Sequence, residues 1–199
     1  MAEPALKNPV PEKNEIKARL LTTGLDLFSA EGVDGVSVAR ICREARLANG
    51  TFYNFFRGKD DLVGELLDSA NQTLADMLSQ AGREDLPASE AHRRDVTIIV
   101  DFVEQHQRLF EFSLLQRASR RDARNPVYMF AAQRRAEMQR QIDEGRFRGS
   151  LHAEIGAFAE VGLITEVLAW WLSNNMPVPR ETLIDQLTEI RTGMTGPLA

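Results

Sequence analysis

The chain has 199 residues, which is enough for one large or two small domains with a buried core. Its formal net charge is −5, so the chain as a whole is acidic rather than basic. Its single cysteine, Cys42, excludes an internal disulfide. No charged and then apolar leader opens the sequence, and no apolar run reaches the roughly 18 residues of a membrane span, so we expect a cytoplasmic protein.

The N-terminal residues favour a disordered arm followed by a helix. Residues 1–12 combine three prolines with small and polar residues, a composition that does not support a packed core. Apolar residues then recur at helical spacing as far as Phe28, and Gly32 suits a left-handed C-terminal cap. We therefore expect the first helix to run from near Asn14 to Gly32.

The segment from Ser37 to Leu62 has the spacing of two short helices joined by a tight turn and followed by a longer helix. Ser37 is a suitable N-cap, and Val38, Ile41 and Ala45 lie on one apolar face behind it. This pattern predicts the first of the two short helices.

The second short helix presents an unusual outward face. Phe52 and Phe56 stand four residues apart on one side, which predicts that this side is buried. The residues left on the outward side are Asn49, Gly50, Tyr53 and Asn54. Two amides can pair with base edges and a phenol can reach a phosphate, so this face is suited to nucleic acid.

The charge around this segment also favours nucleic acid, although the whole chain is acidic. Residues 37–59 contain five basic side chains and one acidic side chain, which gives a local net charge of +4. Electrostatic attraction to a phosphate backbone decays over about 8 to 10 Å in physiological salt, so the local charge matters more than the total.

These residues resemble the N-terminal helix-turn-helix of TetR-type transcriptional repressors. The positions that match at that family's offsets are Ser37, Val38, Ile41, Cys42, Ala45, Leu47, Gly50, Thr51, Phe52, Tyr53, Phe56, Lys59, Asp60 and Leu62. In the preceding helix, Leu27, Phe28 and Gly32 stand where the family places a leucine-phenylalanine pair and a terminating glycine.

The resemblance implies a domain organisation and a set of DNA contacts. The domains are a DNA-binding domain at 13–58, with its helix-turn-helix at 37–56, a connecting helix at 59–81, and a ligand-binding and dimerisation domain at 82–199. The implied DNA-binding residues are Ser37, Ala39, Arg43, Ala48, Asn49, Gly50, Thr51, Tyr53, Asn54, Phe55 and Lys59.

Three residues of this segment depart from the family pattern. Arg46 replaces the usual turn glycine, Ala48 replaces the serine that commonly caps the recognition helix, and Phe55 replaces a histidine. Loss of an N-cap side chain weakens a helix start by about 1 kcal/mol. We therefore expect the recognition helix to begin without the usual cap.

The remainder of the chain predicts further helices. After the connecting helix, the apolar spacing and the turn residues favour helices at about 90–107, 109–119, 126–144, 151–173 and 179–192. No stretch has the alternation and β-branched enrichment of a strand, so we expect an all-α protein with about nine helices.

Polar and aromatic residues in the C-terminal helices form a candidate ligand pocket. The family resemblance implies an effector cavity between the fifth and eighth helices. Its candidate residues are Phe102, His106, Phe110, Phe112, Gln116, Tyr128, Glu166 and Trp170. The alternative is that the aromatic residues only form the core. Glu166 then faces solvent or pairs with an arginine such as Arg117.

Small residues in the helix at 151–173 predict a close helix contact. With the last helix they form half of a symmetric four-helix bundle, in which the predicted interface residues are Ile155, Ala159, Gly162, Leu183, Leu187 and Ile190. The alternative is packing within one chain, and the family resemblance favours the homodimer.

Seven arginines between residues 117 and 140, among them Arg134 and Arg135, are interleaved with acidic residues. This mixture favours a solvated, partly ion-paired surface over a second DNA surface.

The sequence contains no pattern of a catalytic or metal site. Its three histidines, His92, His106 and His152, lack a partner at i+4, and no nucleophile elbow or phosphate-binding loop is present. We expect neither an enzyme nor a cofactor. The hypothesis is a homodimeric, ligand-responsive repressor that binds a palindromic operator in double-stranded DNA and is released by a small hydrophobic or aromatic effector. The alternative is a helical small-molecule-binding protein with a vestigial DNA-binding domain.

Overall fold

The computed structural model describes residues 12–82, 86–119, 126–145 and 152–195. These residues form nine α-helices and no strand, which confirms the predicted all-α fold class. In chain order the helices are α1 (Lys13–Gly35), α2 (Val38–Glu44), α3 (Asn49–Tyr53), α4 (Lys59–Gln80), α5 (Ala88–Gln105), α6 (Gln107–Ser119), α7 (Pro126–Asp143), α8 (Ala153–Ser173) and α9 (Arg180–Thr195). Their ends differ from the predicted ends by at most three residues. Of the predicted arm at 1–12, only Glu12 lies among the described residues.

The chain divides into two compact units. The first ends at Leu66 and contains α1, α2, α3 and the start of α4. The second begins at Leu67 and contains the rest of α4 and the helices α5 to α9. The boundary falls inside α4, eight residues after the start of the connecting helix that the sequence predicts.

The first unit is built around side chains that α1, α2, α3 and α4 bury together. The largest fully buried side chains among them are Leu20, Phe28, Ile41, Phe52, Phe56 and Leu62. The rings of Phe52 and Phe56 lie 5.4 Å apart, centroid to centroid, on the inward side of α3, as their spacing predicts. Gly24 allows α1 and α4 to approach closely, because a Cβ added there would lie 2.7 Å from a methyl carbon of Leu62.

Helix α1 is interrupted near its end. Gly32 takes a left-handed φ of +74°, as its predicted capping role requires, but a further turn continues to Gly35. Two contacts hold this turn: the side chain of Val33 is buried, and its carbonyl oxygen accepts a hydrogen bond of 2.6 Å from Lys59 Nζ. The predicted end of the first helix at Gly32 therefore coincides with this break, and the turn that reaches Gly35 follows it.

The turn between α2 and α3 closes with the hydrogen bonds of a Schellman motif. Leu47 N donates to Cys42 O at 2.8 Å, and Arg46 N donates to Arg43 O at 3.0 Å. The residue between the two short helices, Arg46, has a φ of +56°. Glycine usually fills this left-handed position because a Cβ is strained there. This is the physical reason why the family pattern has glycine where this chain has Arg46.

The two helix starts of this motif differ in their capping. The backbone N of Arg40 donates to Ser37 Oγ at 3.2 Å, so Ser37 caps α2 as predicted. Ala48 precedes α3 and provides no side-chain hydrogen bond. Helix α3 therefore depends on its buried aromatic side chains rather than on its cap.

In the second unit α7 packs against α8, and α5 packs against α9. The main core cluster is formed by Ala70, Leu74, Val96, Val100, Phe102, Val103, Phe110, Ile164, Leu168, Trp171, Leu172, Leu183, Ile184 and Leu187. The indole Nε1 of Trp171 donates to Val178 O at 2.9 Å, which ties the end of α8 to the segment that leads into α9.

Helix α8 is long and apolar enough to span a membrane by length and composition alone. The prediction that no apolar run reaches this length was therefore wrong for residues 153–173. Core helices of folded proteins pass the same test. Helix α8 behaves as such a helix here, since its inward side chains, among them Leu168 and Trp171, lie in the core of the second unit.

The strained turn gives a stability prediction for the first unit. Arg46→Gly should stabilise the unit by about 0.5 to 1 kcal/mol, because relief of the left-handed strain exceeds the entropy that glycine adds to the unfolded chain. Hydrogen–deuterium exchange at the amides of α1 to α3 measures the change. Arg46→Ala is the matched control, because it removes the same side chain and keeps the strain. Equal exchange rates in both variants would contradict the prediction.

Candidate functional site

The outward face of α3 is exposed to solvent. Asn49, Gly50 and Asn54 are all exposed, and Tyr53 has 61% of its surface accessible, which is high for an aromatic residue of a folded domain. Phe52, one residue before Tyr53, is fully buried. The short helix therefore presents amide and phenol groups outward because its aromatic side anchors it inward.

Two further candidate DNA-binding residues, Thr51 in α3 and Phe55 just after it, are partly exposed. Thr51 lies between the exposed and the buried sides of α3, and the ring of Phe55 contacts that of Phe56 at a centroid distance of 6.4 Å. One face of Phe55 thus rests on the core while its position beside Asn54 keeps it near the outward surface.

The candidate residues in and around α2 are also at the surface. Ser37, Ala39, Arg43 and Ala48 are exposed. The guanidinium of Arg43 lies 3.3 Å from the carboxylate of its neighbour Glu44, an exposed pair of the kind that contributes little to stability. Arg43 can therefore exchange this partner for a phosphate at small cost.

Lys59 begins α4 and already has a partner within the unit. Its ammonium donates to Val33 O, and its side chain is partly buried. Beside it, the backbone N of Arg57 donates to Asp61 Oδ2 at 3.0 Å. A phosphate at this helix start would find an ammonium group and the positive end of the helix dipole together.

The candidate pocket residues separate into three groups in the second unit. Phe102, Phe110, Phe112 and Gln116 are buried. His106 and Tyr128 are partly exposed, with the His106 ring 5.2 Å from that of Phe102. Glu166 and Trp170 are exposed, Trp170 to 48%. The structure thus brings the first six toward the interior and leaves Glu166 and Trp170 outside it.

Gln116 is the polar side chain that stands out in the buried group. Its Oε1 is buried and has no hydrogen-bond partner among the residues that the structure describes. A buried amide oxygen without a partner costs free energy, so it is a natural point for a ligand donor.

The candidate dimer residues divide into a buried pair and a group at the surface. Leu183 and Leu187 are buried in the core of their own chain. Ile155 is 66% exposed, Ala159 and Ile190 are exposed, and Gly162 is partly exposed. The spacing of Ile155, Ala159 and Gly162 continues along α8 to Glu166 and Trp170, so these five residues form one outward stripe.

Sequence reasoning did not single out a buried ionic cluster in the second unit. We use the name ionic cluster for His92, Asp95, Arg134, Glu160 and Arg191, which come from α5, α7, α8 and α9. Arg134 Nε lies 2.9 Å from Glu160 Oε1 and 2.8 Å from Glu160 Oε2, and Arg191 Nε lies 2.8 Å from Glu160 Oε1. Arg191 Nη1 lies 3.4 Å from Asp95 Oδ2.

The interpretation of the arginines at 117–140 as a solvated surface was therefore wrong for Arg134, whose side chain is only 10% exposed. A signal for the cluster was present in α8. Ala157, Glu160 and Ile164 follow one another at helical spacing on its buried side, which places a carboxylate in the middle of an apolar stripe.

His92 belongs to the same cluster and is held neutral. Its Nδ1 lies 3.3 Å from Thr192 Oγ1. Burial, and then the positive charges of Arg191 and Arg134, lower the pKa of His92 to about 4. Among the described residues, no group of three or more histidine, cysteine or carboxylate side chains is arranged to hold a metal ion.

Three comparisons with known proteins each match bacterial regulatory proteins. Residues 20–66 match the family described as bacterial regulatory proteins, tetR family. The uncharacterised HTH-type transcriptional regulator YuxN of Bacillus subtilis is 26% identical over 96 residues, which cover 48% of this chain. The match spans only 33% of the length of that relative.

Solved structures of similar fold cover nearly the whole chain. The fatty acid degradation regulator FadR from Bacillus halodurans has a TM-score of 0.73 at 16% identity, covering 92% of this chain and 96% of that one. The transcriptional regulator FadR from Bacillus subtilis, in complex with stearoyl-CoA, has a TM-score of 0.68 at 15% identity, covering 87% and 96%. At these identities the likeness shows the fold.

The neutral histidine gives a prediction of pH dependence. Between about pH 6.5 and about pH 4 the unfolded chain binds a proton at this residue and the folded chain does not, so its contribution to the free energy of unfolding falls as the pH falls. His92→Gln should remove that part of the pH dependence of the free energy of unfolding. Urea unfolding followed by tryptophan fluorescence at several pH values measures it. The exposed His152→Gln should retain the wild-type slope. An unchanged slope in His92→Gln would refute the assignment.

Proposed function

We propose that this chain, which belongs to the TetR family of bacterial regulatory proteins, is a cytoplasmic homodimeric repressor that binds a palindromic operator and is released by a small hydrophobic effector. Residues 13–58 are the DNA-binding domain, 59–81 connect it, and 82–199 bind the effector and form the dimer. The observation that carries the proposal is the exposed polar face of α3, backed by the buried pair Phe52 and Phe56.

The chemistry of that face divides its contacts between bases and phosphates. Asn49 and Asn54 have amides that can pair with adenine, and Phe55 can contact a thymine methyl group. Thr51, Tyr53 and Lys59 are assigned to phosphates, which set the position of the helix on the duplex without reading its sequence. A dimer then reads two half-sites about 34 to 36 Å apart, one turn of DNA.

The buried aromatic residues of the second unit support a hydrophobic effector. Three of the candidate pocket residues that are buried there are phenylalanines, and Gln116 adds a buried amide oxygen without a partner among the described residues. Two solved structures of similar fold are named as FadR regulators, one of them in complex with stearoyl-CoA. We extend that ligand class, a long apolar chain with a polar end, to this chain.

Helix α4 provides the route of control, since it runs without interruption from Lys59 to Gln80 and contributes to both units. An effector that binds one arrangement of α4 better than another shifts the population toward it, and only by the difference in affinity. A coupling of about 1 to 3 kcal/mol would weaken operator binding about 5- to 150-fold.

Two observations support the second candidate function. The uncapped start of α3 and the strained Arg46 both weaken the recognition helix, as expected for a ligand-binding protein with a vestigial DNA-binding domain. A salt-dependent gel shift on DNA upstream of the gene separates the two, because the repressor alone binds it tightly and selectively.

The division between base and phosphate contacts is tested with two variants. Asn54→Ala should weaken the free energy of binding to the operator by about 1 to 3 kcal/mol and change binding to random DNA little, because a base contact is lost. Lys59→Ala should weaken binding to the operator and to random DNA by the same factor. It should also reduce the salt dependence of binding by about one phosphate contact. Fluorescence anisotropy over a range of salt concentrations measures both effects.

The control for these variants is Asn174→Ala, which removes the same amide from an exposed position of the second unit. Circular dichroism of Lys59→Ala checks that loss of the bond to Val33 leaves the fold intact. Equal losses on operator and random DNA would remove Asn54 from the residues that read bases.

The dimer is tested at Gly162. A Cβ added at this position meets nothing within 4 Å in its own chain, so Gly162→Arg should leave the monomer folded. In the proposed dimer the new arginine places a bulky charge in the interface between the two chains. Sedimentation velocity at micromolar concentration should therefore show monomers. Ala132→Arg, at an exposed position of α7, should remain a dimer. A monomeric wild type would refute the proposed assembly.

A further inference from the structure

The ionic cluster places two arginine side chains against one fully buried carboxylate. Glu160 is 2% exposed, Arg191 is 9% exposed and the side chain of Arg134 is 10% exposed, so one carboxylate faces two guanidinium groups in the interior of the second unit. Asp95 adds a second carboxylate at its edge, but it also lies 3.1 Å from Arg94. Within the ionic cluster, the two guanidinium groups of Arg134 and Arg191 are therefore balanced by the two carboxylates, and His92 is neutral.

The hydrogen bonding of Arg134 is incomplete at one edge of its guanidinium group. Its Nε reaches both carboxylate oxygens of Glu160, yet its Nη2 is buried and has no hydrogen-bond partner among the described residues. A guanidinium group has five N–H donors in a fixed plane, and a buried donor without an acceptor is costly. The edge of Arg134 that carries Nη2 thus presents positive charge and N–H donors that no described group accepts.

A purely structural ion pair does not explain the bonding of Arg134. Asp95 accompanies Arg191 at 3.4 Å, so the charges of the cluster balance, but no described group accepts a hydrogen bond from Nη2 of Arg134. The planar fork of arginine is also the side chain best suited to bind a carboxylate or phosphate through two parallel hydrogen bonds.

We propose that Arg134, held in orientation by Glu160, forms a buried anion site that binds the carboxylate or phosphate group of the effector. This inference rests on the effector binding of the proposed function and adds to it a chemical class: the effector is an amphipathic anion, with an apolar body and one anionic end. Arg134 contacts the anion, whereas Glu160 positions the guanidinium group.

The test uses three probes with the same alkyl chain: dodecanoate, dodecyl phosphate and dodecanol. The wild-type protein should bind one of the two anions about ten- to a hundredfold more tightly than dodecanol, the range expected for a hydrogen-bonded charge contact. Isothermal titration calorimetry below the micelle concentration measures the three affinities. The anion that binds more tightly identifies whether the site takes a carboxylate or a phosphate.

Arg134→Gln should bind that anion and dodecanol equally, because it loses the charge and the fork. Arg135→Gln is the matched control, since it removes the same group from the next, exposed position of α7 and should keep the wild-type preference. If Arg134→Gln does not fold, the wild-type comparison decides alone. A wild type that binds dodecanol as tightly as both anions, or that binds neither anion, overturns the proposal, as does a preference that survives in folded Arg134→Gln.

A measurement of operator binding by the same wild-type preparation distinguishes failure of the anion site from failure of the proposed repressor function. Selective DNA binding without a preference for anions would refute the anion site and leave the repressor. A preference for anions that depends on Arg134, in a protein without selective DNA binding, would support the anion site and refute the repressor.

Discussion

The burial of Phe52 and Phe56 is the contact on which the first unit depends. An isolated helix of five residues has no stability of its own, because a single turn fixes many dihedral angles for few hydrogen bonds. Helix α3 also lacks a side-chain cap, so the burial of Phe52 within it and of Phe56 just after it provides the free energy that keeps it helical. The same contact fixes which side faces outward, and with it the positions of Asn49, Tyr53 and Asn54.

The sequence predicted those parts of the fold whose causes are local. The helix starts, the turn after α2 and the inward pair of α3 each follow from residues within one or two turns of each other, and the structure contains all of them. The left-handed conformation of Arg46 also has a local cause, because the Schellman hydrogen bonds require a left-handed residue at this position whatever its side chain. The roles assigned to the outward residues remain predictions.

The parts that the sequence did not predict depend on which side of α8 meets the other helices. Glu160 and Glu166 lie in the same apolar run, but six residues correspond to about 240° around a helix, so burial of one exposes the other. Trp171 enters the core and bonds to Val178 O, which leaves Trp170 outside. The partners of Glu160 come from α7 and α9, at sequence separations of 26 and 31 residues, which no local pattern reports.

Helix α8 therefore has two sides with different chemistry, and they are linked. Its outward stripe carries Ile155, Ala159 and Gly162, the residues proposed for the dimer, and its inward stripe carries Glu160, which orients Arg134. An anion at Arg134 would accept hydrogen bonds from the buried Nη2 that no described group accepts. Its binding would favour whichever packing of α7, α8 and α9 fits the anion best, and α8 would carry any such change to the proposed dimer interface. In the proposed repressor the effector would thus act on the dimer and on α4 within the same unit.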